Sequence, residues 1–353
     1  MSAADVTVVV VTWEAVDLTL ACLDSLAAQE LGDVRMHVVL VDNASTDGTI
    51  DRVAERHPDV TVVRSERNLG FAGGVDLGLR HVDAPAVVLL NNDATAEPGF
   101  VRALVDGLRT ADDAVAALAA TVLLDTTFVA ARPDDPDVVN GPDGRWVADP
   151  AGTVHLVNST GNQLRTDGFG VDRGWLADAS RHRPDRDVFG FSGAAAILRT
   201  SVLREVGVLD ERFFMYYEDS DLSWRMRLAG YRVEHCPGAV VRHRHSASSG
   251  EGSELFRFHD TRNRLAMLTK DASPSLLART LGAFVLTTAS VALRRRQPWP
   301  LVRTRLRAFV SYLGMLPHLL RARRTIGARL VVPRREVERL LVPPAGPTGG
   351  YRA

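Results

Sequence analysis

Val6-Thr7-Val8-Val9-Val10-Val11-Thr12 opens the chain with an apolar run, and Met36–Asp42, Val60–Ser65 and Ala86–Leu90 repeat the pattern. Each run is rich in Val and Leu and ends in polar or small residues. A strand that is apolar along its whole length is buried on both faces, which distinguishes it from the alternating strand of a half-exposed sheet. The segments between the runs read as helices. Ala15–Gln29 places Leu18, Cys22 and Leu26 on one face at helical spacing. Ser45-Thr46-Asp47 and the glycines before Ala72–Val82 supply helix-starting residues. Strands alternating with helices predict an α/β fold with a mostly parallel central sheet. In such sheets ligands bind beyond the carboxyl ends of the strands, so the polar residues after each run are the ones to examine.

The chain has 353 residues, 46% of them hydrophobic and 24% charged, the balance of an ordinary folded protein. Its two cysteines, Cys22 and Cys236, make no disulfide framework, and no basic-then-apolar leader is present, so a cytoplasmic setting is expected. Charge is unevenly spread. From Asp271 onward there are 15 arginines, no lysine and 3 acids, a net +12 that leaves −13 for residues 1–270. Composition divides the chain into a body over 1–270, a helical arginine-rich region over 271–342 and a flexible Pro/Gly tail over 343–353. Within the body, 126–187 is crowded with Asp, Pro, Gly and Arg and reads as an irregular insertion with one hairpin. Regular structure is expected again over Val188–Leu198.

Strand 1 delivers Thr12, Trp13 and Glu14, and strand 2 delivers Asp42-Asn43-Ala44-Ser45-Thr46-Asp47. An acid at such a strand end can accept from a nucleoside; equally, these residues make a helix-capping turn. Asn68-Leu69-Gly70-Phe71-Ala72-Gly73-Gly74 places glycines at a strand-to-helix junction, where backbone N–H groups can approach a phosphate or sugar. It lacks the spacing of a dinucleotide-binding loop, which disfavours a dehydrogenase. Asn91-Asn92-Asp93 is an oxygen-rich strand end suited to Mg²⁺ or Mn²⁺ on a diphosphate. Phe213–Tyr217 introduces Glu218-Asp219-Ser220-Asp221, three acids within four positions at the start of a helix through Leu228. Crowded carboxylates raise one another's pKa, which suits a general base, although acids in a first helical turn also stabilise the helix. His243 and His245 share one face of a strand-like run flanked by Arg242 and Arg244.

Taken in order, these pieces resemble the family 2 glycosyltransferases of the GT-A fold, within them the rhamnosyltransferase-like group. The matching segments run from Val8–Trp13 through Val41–Thr49, Asn68–Gly74, Leu89–Asp93, Phe191–Ala196, Val206–Asp210 and Phe213–Arg225 to His243–Gly250, covering roughly 6–265. The resemblance implies that Asp219 is the catalytic base, with Glu218 and Asp221 supporting it. It makes Asp93 the metal-binding acid, with His243 completing that site. It assigns donor contacts to Thr12, Trp13, Glu14, Asp42, Asn43, Asn68, Gly70, Gly73, Asn91 and Asn92. Glu14 and Asp76 stand where the family commonly has asparagine.

The expected function is therefore inverting transfer of a sugar from a nucleotide diphosphate donor to an acceptor hydroxyl, assisted by Mg²⁺ or Mn²⁺. The resemblance leans toward rhamnose from dTDP-rhamnose and a lipid-linked or polysaccharide acceptor in cell-envelope glycan synthesis. Competing readings are a UDP- or GDP-sugar donor, or an inactive nucleotide-sugar-binding scaffold. A sugar-1-phosphate nucleotidyltransferase is disfavoured, because Thr12-Trp13-Glu14 replaces a basic glycine loop and Lys270 is the only lysine. Nucleic acid is not an expected partner. The uncharged runs Thr280–Leu293 and Ala308–Leu320 fall short of the roughly 20 residues of a membrane span. With Arg294-Arg295-Arg296 and Trp299 they suit the anionic inner face of the plasma membrane, a homodimer face being the alternative.

Overall fold

The computed structural model describes residues 4–244, 253–294 and 298–344. His245, Arg295, Arg296 and the expected tail beyond Pro344 lie outside the described residues.

The first half alternates as the apolar runs require: β1 Val6–Thr12, α1 Val16–Ala27, β2 Met36–Asp42, α2 Thr49–Arg56, β3 Thr61–Arg64, α3 Gly70–Leu79 and β4 Ala86–Asn91. After β4 come β5 Ala94–Ala96, α4 Phe100–Thr110 and β6 Val115–Leu124. The order β3-β2-β1-β4 is parallel throughout. Side chains of β1 alternate between two layers. Val8 and Val10 pack with Leu23 of α1 and Leu104 of α4, while Val9 faces Val75 of α3. Both faces are thus covered, and all five of Val6 and Val8–Val10 and Leu40 are at most 1% exposed.

Beyond β4 the sheet is mixed. β14 Ala195–Arg199 runs antiparallel between β4 and β6. β15 Arg232–His243 lies parallel to β6 and pairs antiparallel with the short β5. The segment 126–187 is more ordered than its composition indicates. β7 Phe128–Ala130, β8 Val139–Gly141 and β9 Gly144–Ala148 form a small sheet. β10 Val157–Ser159 joins β6, and β11 Asn162–Leu164 pairs with β12 Gly170–Asp172. β13 Asp187–Val188 closes the edge against β15.

The helical layer comprises α5 Thr200–Val206, α6 Glu218–Leu228, α7 Glu254–Asp271, α8 Pro274–Leu293, α9 Trp299–Gly327 and α10 Arg334–Val337. Trp224 and Leu228 of α6 share a core with Leu265 and Leu268 of α7, Phe284 of α8 and Tyr312 of α9. The compositional boundary at 270 therefore falls in the last turn of a helix packed on both sides. α8 also extends beyond its uncharged run: at 20 residues and a mean hydropathy of 1.6 it is long and apolar enough to cross a membrane by length and composition, and 22% of that window is buried.

The only lysine of the chain fastens these helices to the sheet domain. Lys270 is 3% exposed. Its Nζ lies 2.7 Å from Asp221 of α6 and 2.9 Å from Asp210, which His318 of α9 also approaches at 2.8 Å. Arg225 pairs with the second oxygen of Asp221 at 3.0 Å. Although burial works the other way, these cations, Lys270 foremost, hold the Asp210 carboxyl down to about 2. Removing one member of a buried ion pair leaves its partner uncompensated. Lys270→Met should therefore lower unfolding stability by about 3–5 kcal/mol, measured by denaturant titration. An unchanged midpoint would show that the network carries no net stabilisation.

Candidate active site

A cavity of about 670 Å³ opens at the carboxyl ends of the parallel strands. The register aligns Thr12 with Asp42 and Val11 with Asn91, so three strand ends meet at one level. Thr12, Trp13, Asn43, Asn68, Gly70, Asn91, Asn92, Asp93, Glu218, Asp219 and His243 all line it. Segments separated by up to 249 positions of sequence, from Val11 to Asp260, are brought together here.

Polar side chains on the donor side fix one another. Asn92 Nδ2 donates to Thr12 Oγ1 at 3.2 Å, and Asn43 Nδ2 donates to the Gly70 carbonyl at 3.0 Å. Asn68 Oδ1 accepts from Gly70 N at 2.8 Å. Gly70 has φ +69°, and a Cβ there would strike the Phe214 carbonyl and come within 2.6 Å of its ring. Four residues expected at the site stand outside the cavity wall. Glu14 accepts from Thr46 N and Oγ1 at 3.0 and 2.9 Å, and buried Asp42 accepts from Ser45 N at 3.2 Å. Both therefore hydrogen-bond within the turn after β2, ahead of α2. Gly73 allows α3 to sit against Leu69, whose Cβ would be 2.8 Å from an added methyl. Asp221 is engaged with Lys270 and Arg225.

The acids are presented by a strained turn. Phe214, Tyr216 and Tyr217 have φ of 66°, 68° and 69°, a left-handed conformation costly for aromatic residues. Asn263 of α7 holds it: Nδ2 donates to the carbonyls of Phe213, Met215 and Tyr216 at 2.8, 2.7 and 2.8 Å. Helix α6 then starts at Glu218. With each residue turning about 100°, Asp219 faces the cavity while Asp221 points into the core.

Asp219 receives four hydrogen bonds. Oδ2 accepts from Gly193 N at 2.9 Å and Asn162 Nδ2 at 2.8 Å; Oδ1 accepts from Ser220 N and Oγ at 2.6 and 3.1 Å. Burial raises its pKa above the ordinary carboxylate value, and these bonds draw it partly back. Glu218 differs: burial, and then the charge of Asp219, push it well above the usual range, and Oε2 has no partner among the described residues. Burial thus disfavours the anion of Glu218, while the carboxylate of Asp219 is the one that hydrogen bonds support.

Asp93 and His243 meet because β5 pairs with β15 in the register that opposes Ala94 to His243. His243 Nδ1 lies 2.7 Å from Asn158 Oδ1, an acceptor that a proton on Nδ1 would satisfy. Nε2 is 3.0 Å from Asp93 Oδ1. Adjacent ligands of an octahedral cation at about 2.1 Å stand about 3 Å apart, so this pair fits one divalent ion, with Asn158 as the partner that orients the imidazole. Among the described residues no third His, Cys, Asp or Glu joins them. That composition suits a cation completed by substrate phosphate and water.

Asn158, Asn162, Gly193 and Asn263 were not anticipated from the sequence. The first two lie in the segment read as an irregular insertion. The polar run Asn158-Ser159-Thr160-Gly161-Asn162 between Leu156-Val157 and Leu164 is the signal that could have marked them.

The sequence profile described as Glycosyl transferase family 2 matches residues 7–162, and the one described as Glycosyl transferase family group 2 matches residues 167–319. The chain belongs to the family 2 glycosyltransferases. It is 29% identical over 247 residues to the N-acetylglucosaminyl-diphospho-decaprenol L-rhamnosyltransferase of Mycobacterium tuberculosis, covering 64% of this chain and 72% of that protein. It is 23% identical over 283 residues, 78% of each protein, to the low-salt glycan biosynthesis hexosyltransferase Agl10 of Haloferax volcanii. Among solved structures, GalNAc-T7 with UDP, GalNAc and Mn²⁺ superposes with a TM-score of 0.57 at 12% identity, over 86% of this chain and 54% of that one. S. aureus TarS 1–349 in complex with UDP-GlcNAc gives 0.50 at 16% identity, over 95% and 90%. These likenesses establish the fold, which is of the GT-A type.

Asp76, the second departure from the family pattern, lies outside the cavity wall on α3. Burial, and then the charge of Glu211, raise its carboxyl to about 7. A carboxyl that binds protons more tightly when folded loses its contribution to stability as pH climbs from about 3.8 through 7. Asp76→Asn should therefore raise the melting temperature more at pH 8 than at pH 5. Equal shifts at both pH values would remove the titration of Asp76 as the cause.

Proposed function

We propose that the protein is an inverting glycosyltransferase that moves a sugar from a nucleoside diphosphate donor onto a hydroxyl of a lipid-linked acceptor. The observation that carries this reading is the placement of Asp219 and the Asp93–His243 pair in one cavity, at the strand ends where a GT-A fold binds its donor. Half-exposed Trp13 at its rim offers a flat surface to a base.

Asp219 takes the proton of the acceptor hydroxyl as that oxygen bonds to the anomeric carbon. The bond from that carbon to the diphosphate breaks, and the nucleoside diphosphate leaves with the electron pair. A single displacement inverts the anomeric centre and needs no covalent enzyme intermediate. Asn162 and Gly193 fix the carboxylate, and burial of Glu218 disfavours a second negative charge beside it. Asp93 and His243 are the residues that would hold Mg²⁺ or Mn²⁺, and such an ion supplies charge neutralisation for the leaving diphosphate.

Rhamnose from a dTDP donor is the sugar we favour, supported by the likeness to the mycobacterial rhamnosyltransferase, whose name carries a diphospho-decaprenol acceptor. We place the protein peripherally on the cytoplasmic face of the membrane, supported by the exposed Leu286, Trp299 and Val310 on α8 and α9.

Transfer assays with dTDP-, UDP- and GDP-sugars, in the presence of Mg²⁺ or Mn²⁺, test the reading. Asp219→Asn should cut turnover by roughly 10²–10⁴-fold while donor affinity is retained. Near-normal turnover, or a parallel loss of donor binding, would move the base elsewhere.

Asp93→Ala and His243→Ala should each raise the metal concentration needed for half-maximal rate, a change that Asp219→Asn should not produce. A metal response unaltered by either substitution would remove the pair as ligands.

A further inference from the structure

A second cavity, of about 410 Å³, lies behind the first and has no part in the chemistry above. Arg264 of α7, Arg279 of α8 and Arg305 of α9 converge on it. The Arg264 guanidinium stacks 3.8 Å from the Phe169 ring centroid and Arg305 lies 5.0 Å from that of Phe284. Covering the flat faces leaves the donor-bearing edges for a ligand.

The bonds these arginines make go to neutral oxygens. Arg264 donates to the Asp167 carbonyl at 3.3 Å, Arg279 to the Thr166 carbonyl at 2.8 Å and Arg305 to Thr288 Oγ1 at 3.1 Å. Among the described residues none of the three has a carboxylate within ion-pair distance. Of the two acids nearby, Asp167 pairs with Arg165 at 2.7 Å, and Asp260, which accepts from the Tyr217 hydroxyl at 3.3 Å, feels the charges of Arg264 and Arg305 from beyond ion-pair distance. Arg264 is 6% exposed with Nε unpartnered, and Thr280 is 4% exposed with its hydroxyl unpartnered. Buried donors and like charges gathered around an open space call for an anion.

The surroundings identify what carries that anion. Next to the cavity, Val285 and Leu286 of α8 are 50% and 72% exposed, on the apolar helix that is only 22% buried. A free phosphate would not require such a rim; a phosphate on a hydrocarbon chain would. The two cavities are lined by neighbouring residues of the same segments. Gly170 and Asp260 line the first, Phe169 and Arg264 the second. Asp260 and Arg264 are four residues apart on α7, about 6 Å along its axis.

We propose that the Arg264–Arg279–Arg305 cavity binds the phosphate of the lipid-linked acceptor, with its chain lying over α8 and its sugar reaching through to Asp219. This rests on the acceptor class given under the proposed function.

The test is calorimetric titration of the full-length chain with decyl diphosphate below its micellar concentration. Saturable binding is expected, weakened about tenfold or more in Arg264→Gln/Arg305→Gln. Arg52→Gln on α2, part of neither cavity, should bind as the unmodified protein does. If the double variant fails to fold, the exposed Arg279→Gln should show the same direction of change. Unchanged affinity in these variants would overturn the proposal. Inorganic pyrophosphate binding as tightly as decyl diphosphate would overturn the lipid assignment, and so would loss of binding to phosphatidylglycerol vesicles alone. Decyl diphosphate binding that persists while no lipid-linked acceptor receives sugar would leave this site standing and sink only the acceptor reading.

Discussion

The charge pairing of Lys270 with Asp221 and Asp210 is the constraint on which the rest of the architecture depends. It is almost fully buried, so its ions tolerate removal from water only because they face one another. Three elements are fixed at once: α7 through Lys270, α6 through Asp221, and α9 through His318 on Asp210. Burial and then the charge of Asp221 push the carboxyl of Asp271 beside them well above the ordinary range.

Once α7 is fixed, its other side chains fall where the chemistry needs them. Two turns before the network, Asn263 satisfies three carbonyls of a turn that its own aromatic residues disfavour. The strain is held in place by hydrogen bonds from a different segment, and the result is a carboxylate aimed at the cavity. Asp260 lines that cavity, and Arg264 lines the neighbouring one. A single helix therefore joins the position of the acid to the surface over which an acceptor would arrive.

The other half of the site depends on register. β5 is three residues long, yet its pairing with β15 puts His243 beside Asp93, and β10 on β6 brings Asn158 to the far side of the same imidazole. A one-residue slip in β15 would turn His243 to the opposite face of the sheet. The composition of 126–187 conceals this role, because its Asp, Pro and Gly belong to the turns that crowd between strands no more than five residues long.

The sequence by itself determined the parallel half of the sheet, the strand ends that carry Thr12, Asn43, Asn92 and Asp93, and the start of α6 at Glu218. Those features follow from local rules: unbroken apolar strands must be covered on both faces, and polar residues must follow them at the sheet edge. Only the tertiary structure decided that β14 enters antiparallel, that Asp42 and Glu14 brace a turn, and that Asp221 belongs to the core while Asp219 faces the cavity. It alone supplied Asn162 and Gly193 to Asp219, Asn158 to His243, and three arginines from three helices to one cavity. Each of these depends on contacts between residues far apart in the chain, and hydrophobic period and capping signals carry no information about which distant segments will meet.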